Sequence, residues 1–220
     1  MSDEITNLEN GGRKLIGTAG SEFQANSDAF VCNQAWSIPS ITALSDNGFL
    51  VIWASCPSGS TASVINGQRF SYYSLPRGPA FQLAASAVHY YTVVKGLKNG
   101  GYVASWLAYN TSKIMGRQYF DNSTAYGSEF EVSSIPSSSN IVIAPLQNNG
   151  FVISWYNSNI YMRPYLSSLA PSAPIQVNSN AYTSNVSPAI ATLLDGGCLV
   201  TWNYLTGGTI LARRFSSSFV

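Results

Sequence analysis

Leu44-Ser-Asp-Asn-Gly-Phe-Leu-Val-Ile-Trp53 has three further versions in this chain. They are Leu97-Lys-Asn-Gly-Gly-Tyr-Val-Ala-Ser-Trp106, Leu146-Gln-Asn-Asn-Gly-Phe-Val-Ile-Ser-Trp155 and Leu193-Leu-Asp-Gly-Gly-Cys-Leu-Val-Thr-Trp202. Each opens on Leu, passes a glycine (Gly48, Gly101, Gly150, Gly197) and closes on Trp. The tryptophans recur about every fifty residues, a period that marks a repeat architecture before any local reading is made. Inside each copy an Asp/Asn/Gly cluster separates two apolar runs, which is the sequence pattern of a β-hairpin.

Working outward, each repeat reads as four strands. The first ends at the Leu: Ile41–Leu44, Val93–Leu97, Ile141–Leu146 and Ala189–Leu193. The second runs to the Trp and is almost continuously apolar, as in Phe49-Leu-Val-Ile-Trp53, so both of its faces should be covered. The third sets a basic or amide residue beside an aromatic: Gln68-Arg-Phe70, Arg117-Gln-Tyr-Phe120, Arg163-Pro-Tyr165, Arg213-Arg-Phe215. Those polar residues either bond between repeats or stay solvated. The fourth strand holds Phe81, Phe130 or Ile175. No segment keeps a helical period.

The last copy lacks a fourth strand, while Gly20-Ser-Glu-Phe-Gln-Ala-Asn26 resembles the fourth-strand stretch Gly127-Ser-Glu-Phe-Glu-Val-Ser133 and stands before the first copy. A closed ring reconciles the two and hides the edge strands. The expected fold is all-β, a four-bladed β-propeller closed by the N-terminal strand completing the last blade. Residues 1–12 form a tail and 13–220 a single domain. The blades span about 37–85, 90–133, 139–178, and 186–219 plus 14–26.

The repeat resembles the tandem repeats of large bacterial surface and calcium-binding-toxin-like proteins. The likeness rests on Leu-x-(Asp/Asn)-(Gly/Asn)-Gly-aromatic-Val-x-(Ser/Thr)-Trp followed by Gly-x-Glu-Phe-x-Val-Asn. It covers roughly residues 13–219 and implies propeller blades. The Gly- and Asp-rich calcium nonapeptides of such toxins are absent from this sequence.

Composition narrows the function classes. Eleven Lys and Arg against ten Asp and Glu leave a net charge of +1, which argues against nucleic-acid partners. There is no apolar run long enough to span a bilayer, so no membrane insertion is expected. A protein with 45% hydrophobic and only 10% charged residues, rich in Ser and Asn, favours an extracellular or cell-surface setting, although Met1-Ser-Asp-Glu does not read as a signal peptide. Cys32 and Cys56 flank the first Trp, which leaves a bridge between them open. Cys198 replaces Phe49, Tyr102 and Phe151 and reads as a buried free thiol. Asn110, Asn122 and Asn185 open glycosylation sequons.

No catalytic residues, metal ligands or cofactor are expected. His89 is the single histidine, so neither a His-based nucleophile site nor a zinc site is legible. Glu22 and Glu129 are repeat features rather than a facing pair, and Asp46 and Asp195 sit in turns that want Asp for conformation. The four Trp read as packing between blades. Candidate binding residues follow the Trp: Tyr109-Asn110, Tyr156-Asn157 and Asn203-Tyr204. Trp36, Tyr90, Tyr91 and Tyr182 in the loops between blades would join them on one face. Aromatics with neutral hydrogen-bonding groups suit carbohydrate or a protein partner. The expected function is a non-enzymatic, lectin-like recognition propeller. The alternative is a structural subunit that homo-oligomerises into a filament or coat, which low net charge favours.

Overall fold

The computed structural model describes residues 21–26, 38–56, 63–87, 89–108, 110–133, 139–166, 172–179, 186–204 and 208–219. These residues form strands and turns only, so the all-β expectation holds. They make four antiparallel sheets, each a simple meander. The first contains β1 (Ser40–Ala43), β2 (Phe49–Ser55), β3 (Ser63–Phe70) and β4 (Phe81–Ala87). The second contains β5 (His89–Gly96), β6 (Tyr102–Ala108), β7 (Lys113–Tyr119) and β8 (Ala125–Ser133). The third contains β9 (Ser139–Pro145), β10 (Phe151–Asn157), β11 (Asn159–Tyr165) and β12 (Ile175–Gln176). The fourth has β13 (Ala189–Thr192), β14 (Cys198–Tyr204) and β15 (Thr209–Phe215).

The quoted motif builds the turn between first and second strands the same way four times. The Leu amide donates to the motif glycine's carbonyl: Leu44 to Gly48 at 2.9 Å, Leu97 to Gly101 at 2.8 Å, Leu146 to Gly150 at 2.8 Å and Leu193 to Gly197 at 2.9 Å. The Asp or Asn side chain accepts from that glycine's amide, at 2.9 Å for Asp46 and 3.1 Å for Asn148. The residue between them turns left-handed, at φ 60° for Asn47 and 93° for Gly100, which selects Asn or Gly. The motif glycine itself is required by space. A Cβ on Gly48, Gly101, Gly150 or Gly197 would run into the carbonyl oxygen of Phe70, Tyr119, Tyr165 or Phe215.

The second strand lies between its own sheet's neighbours, and in the second and third sheets it also has a sheet on either side, which is why it is apolar throughout. Trp53, Trp106, Trp155 and Trp202 are all buried. At its start an aromatic stacks on the end of the third strand: Phe49 on Phe70, Tyr102 on Tyr119 and Phe151 on Tyr165, with centroids 5.0, 4.9 and 4.7 Å apart. In the fourth sheet Cys198 takes this place opposite Phe215. It is a buried free thiol, and burial pushes its pKa up to about 11. Cys56 is disulfide-bonded, while Cys32 lies outside the described residues.

Three apolar layers form between successive sheets: first with second, second with third, third with fourth. The first strands β1, β5, β9 and β13 follow one another side by side. Hydroxyls fasten them, with the Val94 amide donating to Ser40 Oγ at 3.1 Å and the Gly96 amide to Thr42 Oγ1 at 2.7 Å. Of the polar strand-three residues, Gln68 and Arg117 bond within their own sheets, whereas Arg163 and Arg213 reach across to the previous sheet. Arg163 Nη1 donates to the carbonyls of Glu131 and Val132, and Arg213 Nη2 to Ser179 Oγ.

The described residues do not close a ring. The fourth sheet has three strands among them, and β15 is exposed from Thr209 to Arg214. Residues 21–26 are not in a strand, so the expected fourth strand of the last blade is not formed there; residues 14–20 lie outside the described residues.

Candidate functional site

The four sheets offer two ends. At one end lie the loops after the second strands, where binding was expected. Asn110 is exposed in the turn after β6, and Asn157 and Asn203 are half-buried at or near the ends of β10 and β14. Asn203 Oδ1 accepts from the Ser187 amide at 3.4 Å. Tyr156 does not belong to an exposed surface. It is buried in the layer that contains Val152, Ile160 and Trp202, because alternation along β10 turns it into the core. His89, Tyr90 and Tyr91 belong to β5 rather than to a loop, with a register shift between Tyr90 and Val93 and a φ of 52° at Tyr91. Tyr204 ends β14. Tyr109, Trp36 and Tyr182 lie outside the described residues. Of the expected set, Tyr156 is thus a core residue, while Asn110, Asn157 and Asn203 keep exposed or half-buried places.

The opposite end, which carries the motif turns, is richer. Between the second and third sheets a cleft of about 400 Å³ opens against Asn99, Gln118, Phe120, Asp121, Tyr126 and Asn148. Phe120, which follows β7, and Tyr126, at the start of β8, meet edge to face at 5.0 Å and each leaves nearly half its surface in solvent (48% and 46%). Tyr72 and Tyr73 repeat this arrangement on the turn between β3 and β4, with centroids 5.3 Å apart. Among the described residues, Asp121 is the one ionisable carboxyl at the cleft.

Nearby charge is tied up. Arg69 bridges two sheets, donating from Nη2 to Asp46 Oδ2 at 3.0 Å and from Nη1 to the Asp121 carbonyl. Arg77 also donates to Asp46. Burial pulls the Asp46 carboxyl upward, but the Gly48 amide, Arg77 and Arg69 outweigh it and hold the carboxyl below its usual range. Arg214 pairs with Asp195 in the fourth sheet. Among the described residues no group of three or more His, Cys, Asp or Glu is placed to hold a metal ion. None of β1, β5, β9 and β13 carries Asp or Glu.

The aromatic pairs on the turns between third and fourth strands escaped the sequence reading. Their signal was present as Phe120 and Tyr126 flanking Asp121-Asn-Ser-Thr124, and as Tyr72-Tyr73 before Pro76. Of the four, Phe120 alone falls in a stretch assigned from the sequence, the third strand of its repeat.

The arrangement is a β-propeller-like fold with a turn-end cleft. No protein-family model matches the chain, and no curated protein matches it in sequence. Solved structures do. An endo-arabinase from Bacteroides thetaiotaomicron VPI-5482 superposes with a TM-score of 0.53 at 12% identity, over 88% of this chain and 78% of that one. A GH43 β-1,3-galactosidase with galactodeoxynojirimycin gives 0.50 at 8% identity, over 83% and 73%. A protein of unknown function from Bacteroides caccae gives 0.48 at 14% identity, over 84% of this chain; the chain spans 62% of its length. The endo-arabinase and the galactosidase are enzymes, so the expectation of a lectin-like or structural non-enzyme is corrected. In both proteins this fold is an enzyme fold that handles carbohydrate.

Proposed function

We propose that this protein is carbohydrate-active and takes a neutral glycan in the cleft between the second and third sheets. The observation that carries this is the cleft itself: exposed, edge-to-face Phe120 and Tyr126 beside uncharged Asn99, Gln118 and Asn148. Aromatic faces stack on the apolar faces of sugar rings, and amides bond their hydroxyls. The fold neighbours act on arabinose- and galactose-containing glycans, which suggests the first substrates to try. Purified protein should be incubated with arabinan and β-1,3-galactan oligosaccharides, with binding followed by calorimetry and product release by chromatography. Phe120→Ala with Tyr126→Ala should remove binding. A wild-type protein that neither binds nor converts any of these glycans defeats the proposal.

We also infer that the four sheets complete a four-bladed ring. Phe23 supports this. Its ring stands 6.4 Å from Phe49 and 5.4 Å from Phe70, as Phe130 on a fourth strand stands 6.2 Å from Phe151 and 5.0 Å from Tyr165 of the next sheet. Phe23 thus packs against the first sheet as a fourth-strand aromatic packs against the next sheet, and among the described residues the sheet short of a fourth strand is the one ending in β15. Removing residues 1–26 should lower the melting temperature or drive association through the β15 edge. A truncated monomer with unchanged melting argues against the ring.

A further inference from the structure

Two of the four motif turns are neutralised by arginine and two are not, and the cleft lies at the two that are not. In every turn the Asp or Asn spends one side-chain atom on the turn itself. The Gly48, Gly101, Gly150 and Gly197 amides donate to Asp46, Asn99, Asn148 and Asp195 at 2.9, 3.2, 3.1 and 3.0 Å. An N–H donor requires an oxygen acceptor, so this bond also settles which amide atom of Asn99 and Asn148 faces the turn. The other atom points away. In the first and fourth sheets it is a carboxylate oxygen engaged by Arg69 and Arg77, or by Arg214. In the second and third sheets it is the amide nitrogen, and among the described residues no acceptor is hydrogen-bonded to it.

The strand register explains why. Arg69 stands opposite Leu50 and Arg214 opposite Leu199; the matching positions are Gln118 opposite Val103 and Pro164 opposite Val152. Neither can cover the turn with charge. Asn99, Gln118 and Asn148 therefore line an open cleft with uncharged groups, beside the Phe120–Tyr126 platform. Among the described residues no Lys or Arg lines it, and Asp121 adds a negative charge.

We infer that Nδ2 of Asn99 and Nδ2 of Asn148 are the specificity-determining donors of this cleft, and that they select an uncharged, hydroxyl-bearing sugar over an acidic one. This rests on the carbohydrate reading above. Paired donors suit hydroxyl and ring oxygens. A uronate carboxylate would meet no Lys or Arg among the described lining residues, since Arg69 is engaged by Asp46 and the Asp121 carbonyl, and would face Asp121.

The test is Asn99→Asp with Asn148→Asp. Asp46 and Asp195 show that the turn accepts Asp, so the fold should hold while each donor becomes a charged acceptor. Calorimetry should compare neutral arabino- and galacto-oligosaccharides with oligogalacturonate, on wild type and double variant. Wild type should bind the neutral sugars and not oligogalacturonate. The double variant should bind the neutral sugars at least about tenfold more weakly, a change of about 1.4 kcal/mol, with unchanged melting. Unchanged affinity in the double variant, or equal binding of oligogalacturonate by wild type, overturns the donor assignment alone. Absence of binding to every glycan by wild type removes the carbohydrate reading and this inference with it. If the double variant melts lower, Asn99→Ser with Asn148→Ser, which keeps a short acceptor for the turn and removes the amide donor, decides between them by the same affinity ratio.

Discussion

Arg163 donates from Nη1 to the main-chain oxygen of Val132 at 2.9 Å, tying the third strand of one sheet to the fourth strand of the sheet before it. The same side chain reaches Glu131 O at 3.2 Å and, through Nε, Ser172 O at 2.7 Å. It fastens two sheets that share no strand-to-strand ladder. Arg163→Met should lower stability by about 1–3 kcal/mol, the usual cost of losing hydrogen bonds to a charged group. Arg163→Lys should recover little, since an ammonium lacks the planar fork that meets several carbonyls. Urea denaturation midpoints measure both, and a neutral Arg163→Met would show that the apolar layers alone set the sheet spacing.

Trp155 is fully buried between the second and third sheets. Trp155→Ala should cost about 3–5 kcal/mol, as for other large core aromatics. Equilibrium unfolding reads it directly. A loss below 1 kcal/mol would mean that the layer collapses onto the gap.

Tyr156 sits on the opposite face of β10 from Trp155 and is also buried. Tyr156→Ala should destabilise the protein by about 3 kcal/mol, whereas Phe120→Ala and Tyr126→Ala should leave melting near wild type. Thermal melts of the three variants separate packing residues from surface ones.

Asp46 gives a pH dependence with a definite sign. Its folded-state pKa is held below the unfolded value, so its contribution is complete above about pH 4, the ordinary carboxylate range, and is lost as pH falls through the lower folded value. Melting curves of wild type and Asp46→Asn should differ at pH 6 and converge toward pH 2. A difference that grows on acidification would contradict the Arg69 and Arg77 pairing.

Cys198 should be chemically silent while the protein is folded. Burial raises its pKa to about 11, so little thiolate exists near neutrality and none is accessible. A thiol reagent at pH 8 should modify it only on unfolding in denaturant; rapid labelling of native protein would place β14 at the surface.

The repeated Leu-x-(Asp/Asn)-(Gly/Asn)-Gly-aromatic…Trp motif by itself determined the sheet count, the turn chemistry and the buried tryptophans. Each of these is local: a glycine without room for Cβ, a left-handed residue before it, a strand covered on both faces. Cys198 was legible for the same reason, by its place in the repeat. The site was not. Sequence order shows that Tyr156 follows Trp155, but only the pleat of β10 and its neighbouring sheet turn that ring into the core. Likewise Phe120, Tyr126, Asn99 and Asn148 come from three turns far apart in the chain. They become one surface only when the second and third sheets pack side by side, and only the register shows that Gln118 and Pro164 stand where Arg69 and Arg214 cover the other two turns.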